Sequence, residues 1–407
     1  MAVKKQATQH ATTAKTKAAK PASRLIYPIS ADDHVWEKPD TFTSRVPAKF
    51  RNSCLQIENK DGWDWWVYNG NPVRKVGTAG AAMHPERGEY KRFIDAPPAA
   101  YNALERLKTM DKDGVGAEIL FPQAAGFGGG AMSGGDTELR MASIRAYNDY
   151  LIDEWADVSP RFVAQCLLPF WDVKLAITEL KRAAARGHRG IVWTTAPQEF
   201  GGAHFNDQSW DPLWATAQEL DMPVALHIGS GPSPGDRWSG YSFYRGLAHL
   251  STVAITSNIS AISNLLFCGV LDRFPNIKFM SVESGLGWVP YLLETADHQY
   301  NQQRLWKDGM KMKPSEYFKR NIYVNFWYEK QGVALRKLVG VENVLWEADF
   351  PHPTSTYPDT KKILRNILKG VSSSDQYKML EGNARRVYKL DYKNSIMPKS
   401  VGISIGA

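Results

Sequence analysis

The chain has 407 residues, 43% of them hydrophobic, enough for one large domain with insertions or for two ordinary ones. Its formal net charge is +8, but residues 1–24 hold six positive charges (Lys4, Lys5, Lys15, Lys17, Lys20, Arg24) and no acid, so subtraction leaves +2 on the rest. The body is nearly neutral, which speaks against a nucleic-acid or anionic-membrane partner for it.

In chain order, residues 1–24 form an Ala-, Thr- and Lys-rich segment with too few large apolar groups to offset its ordering entropy, and a disordered tail is expected. A transit peptide would share this composition, but one Arg and no amphipathic stripe argue against it. The first strand reads at 27–34. An insertion over about 50–98 follows, in which LQIENKDGWDWWVYNGNPV has the pattern of a β-hairpin with an Asn-Gly turn and a cluster of Trp63, Trp65 and Trp66. From residue 99 onward, short apolar runs at 117–122, 161–168, 190–195, 223–229, 277–283, 322–328 and 344–349 alternate with amphipathic stretches at 101–113, 137–157, 172–186, 209–220, 247–272, 288–304, 332–339 and 359–370. Eight strands, each followed by a helix, predict an α/β fold of the closed (β/α)8 TIM-barrel type over residues 25–390. A terminal helix is expected at 373–390 and a loose tail at 391–407.

No run of about 18 apolar residues and no secretory segment is evident, so a soluble protein is expected. Cys54, Cys166 and Cys268 are isolated, odd in number and outside any C-x-x-C pattern, which suits reduced thiols in the cytoplasm. The run Gly126-Phe127-Gly128-Gly129-Gly130 lacks the Lys-Ser/Thr of a phosphate loop and reads as a loop over the barrel face.

The chemistry gathers at strand ends. Asp32 and His34 sit two residues apart on the first strand and so point the same way, His227 closes the fifth, and Asp349 closes the eighth. Barrel enzymes place catalytic groups at the carboxyl ends of strands, and carboxylate plus imidazole is a divalent-metal donor set. Glu347 shares the inward direction of Asp349. His84, His188, His204, His249 and His298 carry no comparable signal, although His249 follows the long fifth loop and is within reach of the pocket.

The segments ISADDHVWEKPD, FPNIKFMSVESGLGWVPYLLETAD, ENVLWEADFPHPTSTYP and LEGNARRVYKL, with the His227 strand, resemble the amidohydrolase superfamily. The resemblance lies in its branch of aminocarboxymuconate-semialdehyde decarboxylase and related aromatic-acid decarboxylases. It implies Asp32 and His34 as the first-strand metal ligands, His227 as the fifth-strand ligand and Asp349 as the eighth-strand aspartate that shuttles a proton. His352, three residues on, becomes a site residue that orients a ligand, binds a second ion or starts a helix. Two departures stand out: Glu283 replaces the family's sixth-strand histidine, and Glu347 replaces a glycine. With Asp32, Asp349 and Glu283 as three negative charges and Glu37 or Glu347 adding more, one divalent ion leaves the cluster negative and two bridged by hydroxide neutralise it. Zn, Mn or Fe, as one ion or two, suits these ligands; no organic cofactor is indicated.

The expected activity is metal-dependent hydrolysis or non-oxidative decarboxylation of a small carboxylated substrate. The alternatives are a dinuclear Fe/Mn monooxygenase or thioesterase on the same barrel, as in a few similar members, or a non-catalytic subunit. A homo- or hetero-oligomer of barrel subunits is the expected assembly.

Overall fold

The computed structural model describes residues 25–77, 81–84, 88–132, 134–231, 242–392 and 396–404. The tail at 1–24 lies outside them. Eight parallel strands close into a barrel: β1 (Ile29–Val35), β2 (Ala117–Pro122), β3 (Phe162–Leu167), β4 (Gly190–Trp193), β5 (Val224–His227), β6 (Phe279–Val282), β7 (Ile322–Phe326) and β8 (Val344–Trp346). Each lies within one of the eight predicted apolar runs or, for β1, overlaps it by all but its last residue. Every barrel residue is buried, because helices cover the outside and side chains fill the inside.

Local chemistry sets the helix ends. The Asn102 side chain accepts from the N–H groups of Leu104 and Glu105 to start the helix Ala103–Asp113, and Gly114 (φ 94°) ends it in the left-handed region. Asp172 and Gly187 do the same for Val173–Arg186. The helix expected at 247–272 is divided into Phe243–Val253, Ile255–Phe267 and Val270–Arg273. Near the first break the hydroxyls of Thr256 and Ser257 donate to the carbonyls of Val253 and Ala254, competing with the helical ladder. Tyr244–Phe267 is long and apolar enough, by length and composition, to cross a membrane. Here it connects β5 to β6, with the Asn258 amide buried and donating to Leu226 O and Val282 O at the barrel wall.

The insertion holds three antiparallel strands, Gln56–Lys60, Trp63–Tyr68 and Asn71–Lys75, one more than the hairpin expected. Asp61-Gly62 makes a second tight turn like Asn69-Gly70, with positive φ at both residues of each pair. Part of 391–407, expected to be loose, is tied to the barrel: Ile403–Ser404 pairs with Leu25–Ile26, and Val401, Ile403 and Met397 are buried. Apolar side chains at 397, 401 and 403 gain more from burial than the ordering of a short segment costs.

Candidate metal centre

β1 turns its polar residues to opposite sides. Its pairing with β2 runs Ser30↔Glu118 and then Asp33↔Leu120, so an extra residue bulges between them and re-aims the strand end. Asp32 and His34 enter the barrel mouth. Asp33 faces outward, where its Oδ1 accepts the Phe350 N–H at 2.9 Å. Beside it, buried Arg106 donates to Glu118 Oε2 (2.8 Å), Ala99 O (2.6 Å) and His34 O (2.7 Å), which fixes the backbone at His34.

His227 ends β5 as predicted, whereas Glu283 and Asp349, expected within the sixth and eighth strands, lie just past the ends of β6 and β8. Glu283 and Asp349 have φ of 54° and 58°, a region that costs a non-glycine residue about 1–3 kcal/mol and recurs at functional sites. Glu283 is held there by its N–H on Glu347 Oε2 (3.2 Å), and Asp349 by its N–H on Asp32 O (2.9 Å).

These side chains converge. His34 Nε2 lies 3.3 Å from Asp32 Oδ1 and 3.5 Å from Asp349 Oδ1; His227 Nε2 lies 3.2 Å from Asp32 Oδ2 and 3.5 Å from Glu283 Oε2. Adjacent donors around a tetrahedral ion with bonds of about 2.1 Å stand about 3.4 Å apart, so the spacing is that of a ligand shell. Both Oδ atoms of Asp32, both Nε2 atoms and Asp349 Oδ1 are buried without a protein hydrogen bond. The opposite ring nitrogens are engaged: His34 Nδ1 faces Pro122 O (3.4 Å) and His227 Nδ1 faces Ile228 O (2.7 Å). A carbonyl accepts the Nδ1 proton and leaves the Nε2 lone pair free for a metal. The residues present fit a divalent ion.

His352, half-buried at the mouth, stacks on His34 with ring centroids 3.8 Å apart and sets its Nδ1 2.7 Å from Asp349 Oδ1. The Thr354 hydroxyl donates to Asp349 Oδ2. Burial pushes the carboxyls of Asp32 and Glu283 up, and the neighbouring carboxylates push them further. Burial favours a neutral Asp349 as well, but His352 and His34 outweigh it and hold that carboxyl below the usual range. Burial keeps His227 neutral, at about 4. Glu347 is buried beside the cluster, as its inward direction predicted. Glu37 is elsewhere: its carboxylate accepts from the N–H groups of Ala124 and Ala125 (2.7 and 3.1 Å).

A cavity of about 720 Å³ adjoins the cluster, with Glu283, His352 and Thr354 in its lining. Phe127, from the Gly-rich run, stacks on His227 (3.8 Å between centroids) and lines the cavity with Trp327 and Tyr328. Arg74, from the inserted sheet, and Gln123 complete that wall; the sequence did not single them out, because nothing local to either marks a pocket residue. Ala248 and Leu250 line the cavity, whereas His249 is not among its described lining residues. His188 is a core residue on Asn148 O (3.0 Å).

The amidohydrolase family model matches residues 32–390, from the first ligand to the terminal helix. The chain belongs to the amidohydrolase family. The gamma-resorcylate decarboxylase of Polaromonas sp. strain JS666 is 26% identical over 307 residues, covering 70% of this chain and 87% of that protein. The 2-amino-3-carboxymuconate-6-semialdehyde decarboxylase of Dictyostelium discoideum is 22% identical over 360 residues, covering 87% and 92%. The crystal structure of an amidohydrolase from Mycobacterium avium subsp. paratuberculosis K-10 superposes with a TM-score of 0.70 at 23% identity, over 89% of this chain and 99% of that one. This amidohydrolase is thus a metal-dependent enzyme of the hydrolase and decarboxylase class, in the branch that the sequence resembled.

Proposed function

We propose that the protein removes CO2, without oxidation, from a small hydroxylated aromatic carboxylate. The observation that carries this reading is a ligand shell beside an aromatic-walled cavity with a cation in its lining: Arg74 lines it together with Glu283, His352, Phe127, Trp327 and Tyr328. The volume suits one aromatic ring with its substituents. The decarboxylase relatives support the reading, and neither the oxygenase nor the silent-subunit alternative gains from them.

When bound, a divalent ion at this centre supplies Lewis acidity toward substrate oxygens. The chain's own residues do the rest. Asp32, His34, His227 and Glu283, with Asp349 and His352 beside them, would hold the ion. Arg74 binds a substrate carboxylate or phenolate, and the aromatic side chains flank the ring. Loss of CO2 leaves an electron pair on the ring carbon, which takes a proton; His352, its Nδ1 2.7 Å from Asp349 Oδ1, is placed to hold that proton beside the cavity.

Incubating the Mn(II)-loaded protein with hydroxylated benzoates in D2O tests this. Each turnover should release CO2 and place one deuterium at the carbon that lost it. Hydrolysis of lactone or amide substrates, with no CO2 from any benzoate, overturns the reading. The unpaired thiols of Cys54, Cys166 and Cys268 support a cytoplasmic setting, which fractionation checks. The apolar helix Phe243–Val253, with no fully buried side chain described, supports an oligomer of barrel subunits, which sedimentation checks.

A further inference from the structure

We propose that the aromatic substrate carries an apolar side chain, several carbons long, which lies along the helix Phe243–Val253. The proposal deepens the decarboxylase reading above and rests on it for the ring and its carboxylate. Its first support is size. A cavity of about 150 Å³ is enough to hold a benzene molecule, whereas about 720 Å³ adjoins the ligand cluster. One ring with hydroxyl and carboxylate groups leaves most of that space unfilled.

The lining divides by chemistry. Glu283 and His352 belong to the cluster, and Arg74 is tied to the same end: it donates to Gln123 O (2.5 Å), and Gln123 Oε1 meets His352 Nε2 (3.0 Å). A carboxylate finds its partners here. The helix supplies a different wall. Tyr244, Leu247, Ala248 and Ser251 fall at i, i+3, i+4 and i+7, which puts them on one face, and Leu250 adds to it. Among the described lining residues, the stretch 244–254 contributes no charged group. The Thr252 hydroxyl, also at the cavity, donates back to Ala248 O (2.8 Å) and so needs no polar partner in a ligand.

These apolar groups are not packed away within the chain. Tyr244 is 54% exposed and Leu250 is 40% exposed. Apolar surface left open and continuous with a ligand site marks what the ligand covers. At a rise of 1.5 Å per residue the wall from Tyr244 to Val253 runs about 14 Å, room for a chain rather than a methyl group. Other faces of the helix remain for the subunit contact proposed above. A second copy packed on the cavity wall itself would exclude such a ligand, and the experiment separates the two.

Binding is measured apart from turnover. The Mn(II)-loaded full-length protein is titrated by calorimetry with resorcinol and its 5-methyl, 5-propyl and 5-pentyl derivatives, none of which has a carboxylate to lose. Burying one methylene strengthens binding by about fourfold, and by about twofold on a partly open wall. The pentyl compound should therefore bind about 15- to 250-fold more tightly than the methyl one, with a more negative heat-capacity change. Leu247→Asn and Leu250→Asn should each lower that ratio by about fourfold, whereas Leu338→Asn, at an exposed leucine outside the cavity, should leave it intact. A ratio near unity in the wild type, or one that neither cavity variant lowers, overturns the proposal. A flat series together with slower sedimentation of the cavity variants overturns it too, and assigns the wall to a second copy. If the series holds but no alkylated hydroxybenzoate releases CO2, the apolar wall stands and the decarboxylase reading falls. Binding of no member of the series overturns both.

Discussion

Replacing Arg106 with Met probes how a residue outside the cavity holds the first-strand ligands. The guanidinium is fully buried and makes three bonds: to Glu118 Oε2, to Ala99 O and to His34 O. Breaking a buried ion pair from one side costs about 3–5 kcal/mol, because the remaining charge is stranded. The two carbonyls each lose a bond with a net value of about 1 kcal/mol. Arg106→Met should therefore destabilise the fold by about 5–7 kcal/mol. Adding Glu118→Leu removes the stranded charge and should bring the deficit back to about 2 kcal/mol, the value of the two carbonyl bonds. The effect has a pH signature. Burial pushes the Glu118 carboxyl up, and Arg106 opposes it. Without Arg106 the folded-state value lies further above the unfolded one. The stabilising proton is then fully bound at low pH and is lost as pH rises through the folded value, so the single variant should be weaker at pH 8 than at pH 5. Urea denaturation of the Mn-loaded proteins, followed by tryptophan fluorescence, reads all three. A deficit below about 1 kcal/mol, or a double variant no more stable than the single one, refutes the stranded-charge argument. If the single variant does not accumulate as folded protein, the argument requires that the double one does.

The other predictions concern the metal, the substrate, acid stability and the C-terminal segment. Thr354→Val keeps the shape but removes the hydroxyl on Asp349 Oδ2, and should weaken Mn(II) binding by about 10- to 100-fold in a chelator competition; unchanged competition would show that this bond does not position the ligand. Arg74→Met should lower kcat/KM for a carboxylated substrate by about 10- to 100-fold, the value of one hydrogen bond to a charged group, and an equal loss on an uncharged analogue would remove Arg74 from substrate recognition. Burial holds His188 near 4, below the unfolded value of about 6.5, so its contribution to stability should vanish as pH falls from about 6.5 to 4. His188→Gln should flatten that part of the stability profile, and an unchanged slope counts against the assignment. Ile403→Ala should cost about 2–5 kcal/mol if the pairing with Ile26 anchors the segment; a change within experimental error would return 396–404 to the status of a loose tail.

The sequence by itself determined the barrel and most of its candidate metal ligands. Alternation of short apolar runs with amphipathic helices is a local signal, and strand-end placement converts it into positions for Asp32, His34, His227 and Asp349, while Glu283 came from the resemblance to the amidohydrolase superfamily. Each of these four strand-end positions depends only on its own strand and on the rule that barrel strands point their carboxyl ends at one face. Only the tertiary structure decided which of the other groups face this site. Glu37 and Glu347 are alike as sequence, yet Glu347 borders the cluster while Glu37 binds two backbone N–H groups. Arg74 and Gln123 reach the cavity from an inserted sheet and from the end of β2, far from the ligands in the chain. The division of Asp32 between two histidines, the reversed ring of His352 and the attachment of Ile403 to Ile26 rest on contacts between distant segments. Side-chain direction and long-range packing set such contacts, and no local pattern of residues records them.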